Sequence, residues 1–148
     1  MKIIAMFLVL FASAVTTQAQ TTVSDADKAA ITQTALDYLE GWYAGDAERM
    51  ERALHPELAK RIMRTNAQGQ SRLEQMGAMT LVQYTKRGGG KNTPKDKQQK
   101  DITILDVFGN TASVKAVAAD WIDYLHIAKS NGKWVIVNVL WEMKPKKE

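Results

Sequence analysis

The 148-residue chain has no cysteine at all, only two histidines and only three prolines. Without cysteine there can be no disulfide, no thiol nucleophile, no thiolate metal site and no lipid-bearing Cys. With two histidines, a metal site would have to be completed by carboxylates, and no tight ligand spacing is present. No serine-hydrolase elbow occurs. The run Gly88-Gly89-Gly90-Lys91 lacks the spacing and the following Ser or Thr of a phosphate loop. No cofactor-binding motif, internal repeat or strong domain boundary is found. Beyond the N-terminus no apolar run approaches the ~20 residues needed to cross a bilayer.

The N-terminus reads as a secretory leader. Lys2 supplies the positive end, residues 3–15 (IIAMFLVLFASAV) a short apolar stretch, and Thr17-Gln18-Ala19 a cleavage site after Ala19. The expected organisation is therefore a signal peptide over residues 1–19 and one domain over residues 20–148, a usual length for a single core. The mature protein is expected to be periplasmic or secreted from a bacterium, with no membrane insertion after cleavage. The formal charge is +4, of which Lys2 contributes one. Much of the excess lies in residues 86–100 and in Lys144, Lys146 and Lys147, which read as loop and tail. Export leaves little access to nucleic acid, so that partner is not expected.

The mature chain divides into a helical first half and a strand-rich second half, which points to an α+β fold with helices on one face of an antiparallel sheet. Ser24 with Asp27 fits a helix start, and Ile31, Ala35, Tyr38, Leu39 and Trp42 recur at helical spacing. Gly45 ends that helix and Asp46 begins a second, stopped at His55-Pro56. Residues 58–64 (LAKRIMR) alternate, with Leu58, Lys60, Ile62 and Arg64 on one parity, so strand and helix both stay open there. Residues 66–71 read as a turn, and residues 77–87 contain a third helix with Met79, Val82 and Thr85 or Tyr84 inward. Strands are expected at 102–107, 111–121, 123–129 and 133–143, with a tight hairpin at Asn131-Gly132. Strict alternation in the last strand sets Trp134, Ile136, Asn138 and Leu140 against Val135, Val137, Val139 and Trp141. Both faces would then be apolar, and a second copy packed sheet to sheet, a homodimer, would cover the outer one.

Leu54-His55-Pro56 after paired helices, residues 121–129 (WIDYLHIAK) and residues 131–141 (NGKWVIVNVLW) together resemble the nuclear transport factor two-like superfamily. Within it, the chain is similar to the branch called putative lumazine-binding proteins, from residue 23 to about 144. The resemblance implies a SnoaL-like cone: a strongly curved antiparallel sheet with about three N-terminal helices on its concave face and a pocket at the open end. Members include isomerases, cyclases, dehydratases and non-enzymatic binding proteins, so the fold does not decide the function.

Candidate pocket residues follow from that shape. Tyr38 and Trp42 on the first helix, with Tyr124 and Trp141, could form aromatic walls. His55, Arg61, His126 and Asn138 could supply polar contacts, with Arg61 suited to a carboxylate or phosphate. Asp120, Trp121, Asp123, Tyr124 and His126 form the densest polar and aromatic cluster. Asp123 and His126 have opposite strand parity, which sets them on different faces unless the strand bulges. The expected function is binding of a small apolar or aromatic ligand. The alternatives are an isomerase, cyclase or dehydratase using a pocket His or Asp as general base, and a structural dimer with a closed pocket.

Overall fold

A computed structural model describes residues 23–145. The leader read at residues 1–19, and Lys146 and Lys147 of the basic tail, lie outside the described residues. Helix α1 (Asp25–Ala44) starts where Ser24 places it. The Ser24 hydroxyl accepts the Asp27 N–H at 3.1 Å, satisfying one of the amides left free at a helix start. Gly45, with φ of 63°, ends α1 in the left-handed conformation that favours glycine. Asp46 then caps α2 (Ala47–Ala53) by accepting the Arg49 N–H at 3.0 Å. Ile31, Ala35, Tyr38 and Leu39 of the expected stripe are buried against the sheet, and Trp42 is partly so.

His55-Pro56 does stop α2, but the chain passes straight into β1 (Leu54–Thr65). The strand alternative at residues 58–64 is thus the one adopted. Pro56 falls where the pairing of β1 with its neighbour is irregular, between Leu54 and Ala59, a place where a missing N–H breaks no ladder bond. A turn built on Asn66, whose side-chain oxygen accepts the N–H groups of Gln68 and Gln70, leads into β2 (Ser71–Met76). That strand was not read in the sequence. Helix α3 (Ala78–Lys86) buries Leu81 and Thr85, so of Thr85 and Tyr84 it is Thr85 that turns inward, whereas Met79 is exposed, contrary to the inward face expected for it. A short 3-10 turn (Lys95–Lys97) precedes β3 (Asp101–Phe108), β4 (Thr111–Val117), β5 (Trp121–Ser130) and β6 (Lys133–Met143).

The six strands form one curved sheet in the order β2-β1-β6-β5-β4-β3. All neighbours are antiparallel except β1 and β6, which run parallel. The helices cover one face of it, giving the α+β cone the sequence resemblance implies. Residues of that inner face line up across the strands, as in the row Val114, Leu125, Val139, Lys60, Met76.

The faces of β6 differ from strict alternation. The register with β5 shifts between His126/Asn138 and Ile127/Ile136, so Val137 is an extra residue. A bulge of this kind reverses the parity beyond it. Trp134, Ile136 and Val139 are all buried, and Trp141 packs with them on the inner face. Asn138 and Leu140 face outward with Val135. The outer surface is consequently less apolar than two unbroken faces would make it.

Asp27 joins α1 to the far end of the sheet. Its carboxylate accepts from Lys129 Nζ and Trp134 Nε1, both at 2.8 Å. These bonds, the Lys129 one foremost, lower its pKa from 3.8 to about 2. A carboxylate with a depressed folded-state pKa stabilises the fold above its unfolded value, and loses that contribution as pH falls through the folded value. Asp27→Asn should lower Tm at pH 7, and the gap to wild type should close between pH 4 and pH 2 in parallel melting curves.

Candidate functional site

Between α1, α3 and the open end of the sheet lies a cavity of about 260 Å3. Tyr38 and Trp42 from α1 and Met50 from α2 form one side. Lys60, Met76 and Leu81 form the floor, and Trp121, Trp141 and Met143 the opposite wall, with Asp120 at the mouth. Seven of the ten lining residues carry aromatic rings or thioethers. Rings give flat apolar contact area, and methionines adapt their shape to what they touch.

Trp42 is held in place by the glycine run. Gly90 donates its N–H to the Trp42 carbonyl at 2.9 Å, and a Cβ built on Gly90 would lie 2.6 Å from the indole Cδ1. Only glycine lets the backbone approach so closely. The run therefore does more than end α3. Trp42 and Trp121 meet edge to face, with centroids 6.1 Å apart and planes at 86°. The bend between β4 and β5 that presents Trp121 and Asp120 is tied down from two sides. Tyr43 Oη accepts the Ala119 N–H at 2.8 Å, and Lys144 Nζ donates to the Ala118 carbonyl at 2.6 Å.

The polar heart of the site is a buried cluster at the inner end of the cavity. Lys60 Nζ donates to Asp123 Oδ1 at 2.5 Å and to Tyr38 Oη at 2.7 Å. Tyr38 donates in turn to Asp123 Oδ2 at 3.2 Å, and Trp121 Nε1 donates to the same oxygen at 2.6 Å. The ammonium also lies 4.5 Å from the centre of the Trp141 ring, a cation–π contact. Lys60 is 6% exposed and Asp123 not at all. Burial lowers the Lys60 pKa below its ordinary value, and the Asp123 carboxylate works against that shift. Burial, with the neighbouring carboxylate, pushes the Tyr38 phenol well above its ordinary value, so it stays protonated. Asp123 thus receives three donors, and Lys60 Nζ has two oxygen acceptors, Asp123 and Tyr38.

Of the residues singled out from sequence, Tyr38, Trp42 and Trp141 meet at this cavity. Tyr124, His126, Arg61 and Asn138 do not. They share the outer face, where Arg61 donates to Asn138 Oδ1 at 2.8 Å and Asn138 Nδ2 is 3.2 Å from His126 Nδ1. Tyr124 pairs across the strands with Leu140 and is 46% exposed. His55 sits at the start of β1, its Nδ1 accepting the Glu57 N–H. Asp123 and His126 lie on opposite faces, as their parity requires, so they form no dyad. Lys60 was missed as a site residue. Its signal was present: it is a charged residue flanked on its own parity by Leu58 and Ile62. Among the described residues no group of three or more His, Asp or Glu could hold a metal ion, and no helix is long and apolar enough to cross a membrane.

The sequence profile of a family described as "Putative lumazine-binding" matches residues 26–142. No curated protein matches the chain. Among solved structures, it is similar to an NTF2-like protein of unknown function from Methylobacillus flagellatus, with 24% identity over 83% of this chain and 96% of that one, at a TM-score of 0.62. An NTF2-like protein of unknown function from Shewanella baltica shares 17% identity over 84% of this chain and 99% of that one, at a TM-score of 0.61. A protein with a cystatin-like fold from Nostoc punctiforme shares 16% identity over 83% and 95%, at a TM-score of 0.59. Likeness at these identities speaks to the fold and leaves the chemistry to the site.

Breaking the buried pair from one side strands a charge without a partner, which costs about 3–5 kcal/mol. Lys60→Met should therefore lower stability in urea unfolding by about that amount, and Tyr38→Phe, which loses one hydrogen bond from the ammonium and one to the carboxylate, by about 1.5–3 kcal/mol.

Proposed function

The chain belongs to the family described as putative lumazine-binding, with an NTF2-like fold, and from that premise we propose that it is an exported protein that binds a small, flat, largely apolar molecule without transforming it. The observation that carries this reading is the cavity itself, walled by Trp42, Trp121 and Trp141 and lined between them by Met50, Met76 and Met143. Its volume of about 260 Å3 lies near the lower end of ligand sites, ~300–1,000 Å3, and suits one or two fused rings. Tyr38, Trp42 and Trp141 are the ligand contacts in this reading. His55, Arg61, Tyr124, His126 and Asn138 have none with a ligand in the cavity.

An enzyme of the isomerase or dehydratase kind is the second reading, favoured by an ionisable cluster in apolar surroundings. It is the weaker one. A general base needs a free lone pair within reach of the substrate. Asp123 has three donors on its two oxygens and lies behind Lys60 and Tyr38, outside the cavity wall.

The test is a titration of intrinsic tryptophan fluorescence with planar aromatic compounds, lumazines and flavins among them. Binding should quench the signal with one-to-one stoichiometry. At about a hundred times the dissociation constant it should raise Tm by roughly 5–10 °C, since such occupancy is worth ~2.7 kcal/mol. Trp42→Ala, which removes one wall, should weaken binding about tenfold or more. A panel with no quenching and no shift in Tm sinks the reading.

Export and pairing of copies through the outer sheet face complete the proposal. The leader composition supports export. Tyr124 and Leu140, with Met63 and Leu73 nearby on β1 and β2, supply exposed apolar area for a self-contact. Protein recovered from the periplasmic fraction or the medium should have a mass that starts at Gln20. It should sediment as a dimer at micromolar concentration, and Leu140→Glu should convert it to monomer.

A further inference from the structure

We infer that the ligand is a neutral planar aromatic molecule carrying a carbonyl oxygen, bound with that oxygen on the Lys60 ammonium. The inference rests on the small-molecule reading above and narrows it by counting donors, acceptors and charges.

An ammonium has three N–H groups. Lys60 spends one on Asp123 Oδ1 and one on Tyr38 Oη. The third has no oxygen or nitrogen partner among the described residues, and Lys60 forms part of the cavity wall. Tyr38 has spent its O–H on Asp123, and the Trp121 N–H is spent there too. The inner end of the cavity therefore offers one hydrogen-bond donor and asks for an acceptor.

Charge decides which acceptor. Lys60 and Asp123 together are neutral. A carboxylate or phenolate on Lys60 would put two anions on one ammonium inside apolar walls, with the Asp123 charge uncompensated for its share. Asp120, exposed at the mouth, adds a further negative charge along the way in. A cationic ligand fares no better at the inner end. It would face the like charge of Lys60, and Asp123, the acceptor it would seek, is buried behind it with three donors already on its oxygens. A neutral carbonyl meets both limits. It takes the free N–H and leaves the ion pair intact, while its ring lies among Trp42, Trp121 and Trp141.

The experiment compares four naphthalenes of one ring shape by fluorescence titration on the wild-type mature chain: 2-acetylnaphthalene, 2-ethylnaphthalene, 2-naphthoate and 2-(aminomethyl)naphthalene. The ketone should bind about tenfold more tightly than the ethyl compound, as one hydrogen bond from a charged donor allows, and the two ions should bind more weakly than the ketone. The double variant Lys60→Met with Asp123→Asn removes both charges together, so no buried ion is left unpaired, and its folding is verified by melting. There the ketone should bind no more tightly than the ethyl compound. Equal binding of ketone and ethyl compound by the wild type overturns the inference and leaves the cavity reading standing. So does tightest binding of the carboxylate or the amine, or a ketone preference that survives in the double variant. Binding of none of the four overturns both.

Discussion

The ion pair between Lys60 and Asp123 is the constraint around which the open end of the cone is arranged. It joins β1 to β5 across the intervening β6, and through Tyr38 it joins both to α1. Two charges buried this deeply repay their desolvation only if geometry and extra hydrogen bonds are good. Here Tyr38, Trp121 and the face of Trp141 supply those extra contacts. The same residues line the cavity, so the groups that make the pair tolerable also shape the site. Stability and recognition draw on one set of side chains.

Curvature does the rest. The extra residue Val137 in β6 turns Trp141 inward beside the ammonium, where unbroken alternation from Trp134 would leave it on the outside. A second irregularity in β3, between Ile104 and Asp106, lets Val107 join Ile102 and Ile104 on the core. Bulges bend and twist the strands that carry them, which suits a sheet that must curl around three helices. Across the cavity, the Gly89-Gly90 backbone presses on Trp42 from the other side. The two tryptophan walls are thus set by backbone features, one by an added residue and one by missing side chains.

Local rules made much of this legible. Ser24 with Asp27, Gly45 with Asp46 and Asn131 with Gly132 are short-range signals, and each marks the boundary it should. The apolar stripe of α1 identified Tyr38 and Trp42 because helical spacing survives without tertiary knowledge. What escaped was set by partners distant in sequence. No local pattern announces the bulge at Val137, so the faces beyond it were inverted, and Leu140 was grouped with Trp134. Ser71–Met76 pairs with β1 and has little apolar alternation of its own, so beyond the turn that reaches Ser71 it carried no strand signal. Met79 was placed inward by period, but α3 is too short to bury more than one narrow side.

The site residues divide along the same line. Tyr124, His126 and Asn138 attracted notice because polar and aromatic side chains on strands so often mark function, yet parity puts Tyr124 and His126 on the face away from the helices, and the bulge at Val137 turns Asn138 to the same face. Lys60 attracted none because lysine on a strand is ordinarily a surface residue. Its parity said otherwise, since it alternates with Leu58 and Ile62 on the side that meets the helices. An inward lysine requires a buried acceptor, and the second half of the chain offers one: Asp123, which shares the parity of Leu125 and Ile127 on β5. Two charged residues of opposite sign, each on the apolar parity of its own strand, imply each other. With residues 58–64 in a strand, that pairing joins Lys60 to Asp123 at the inner end of the cavity, on the opposite face of the sheet from His126.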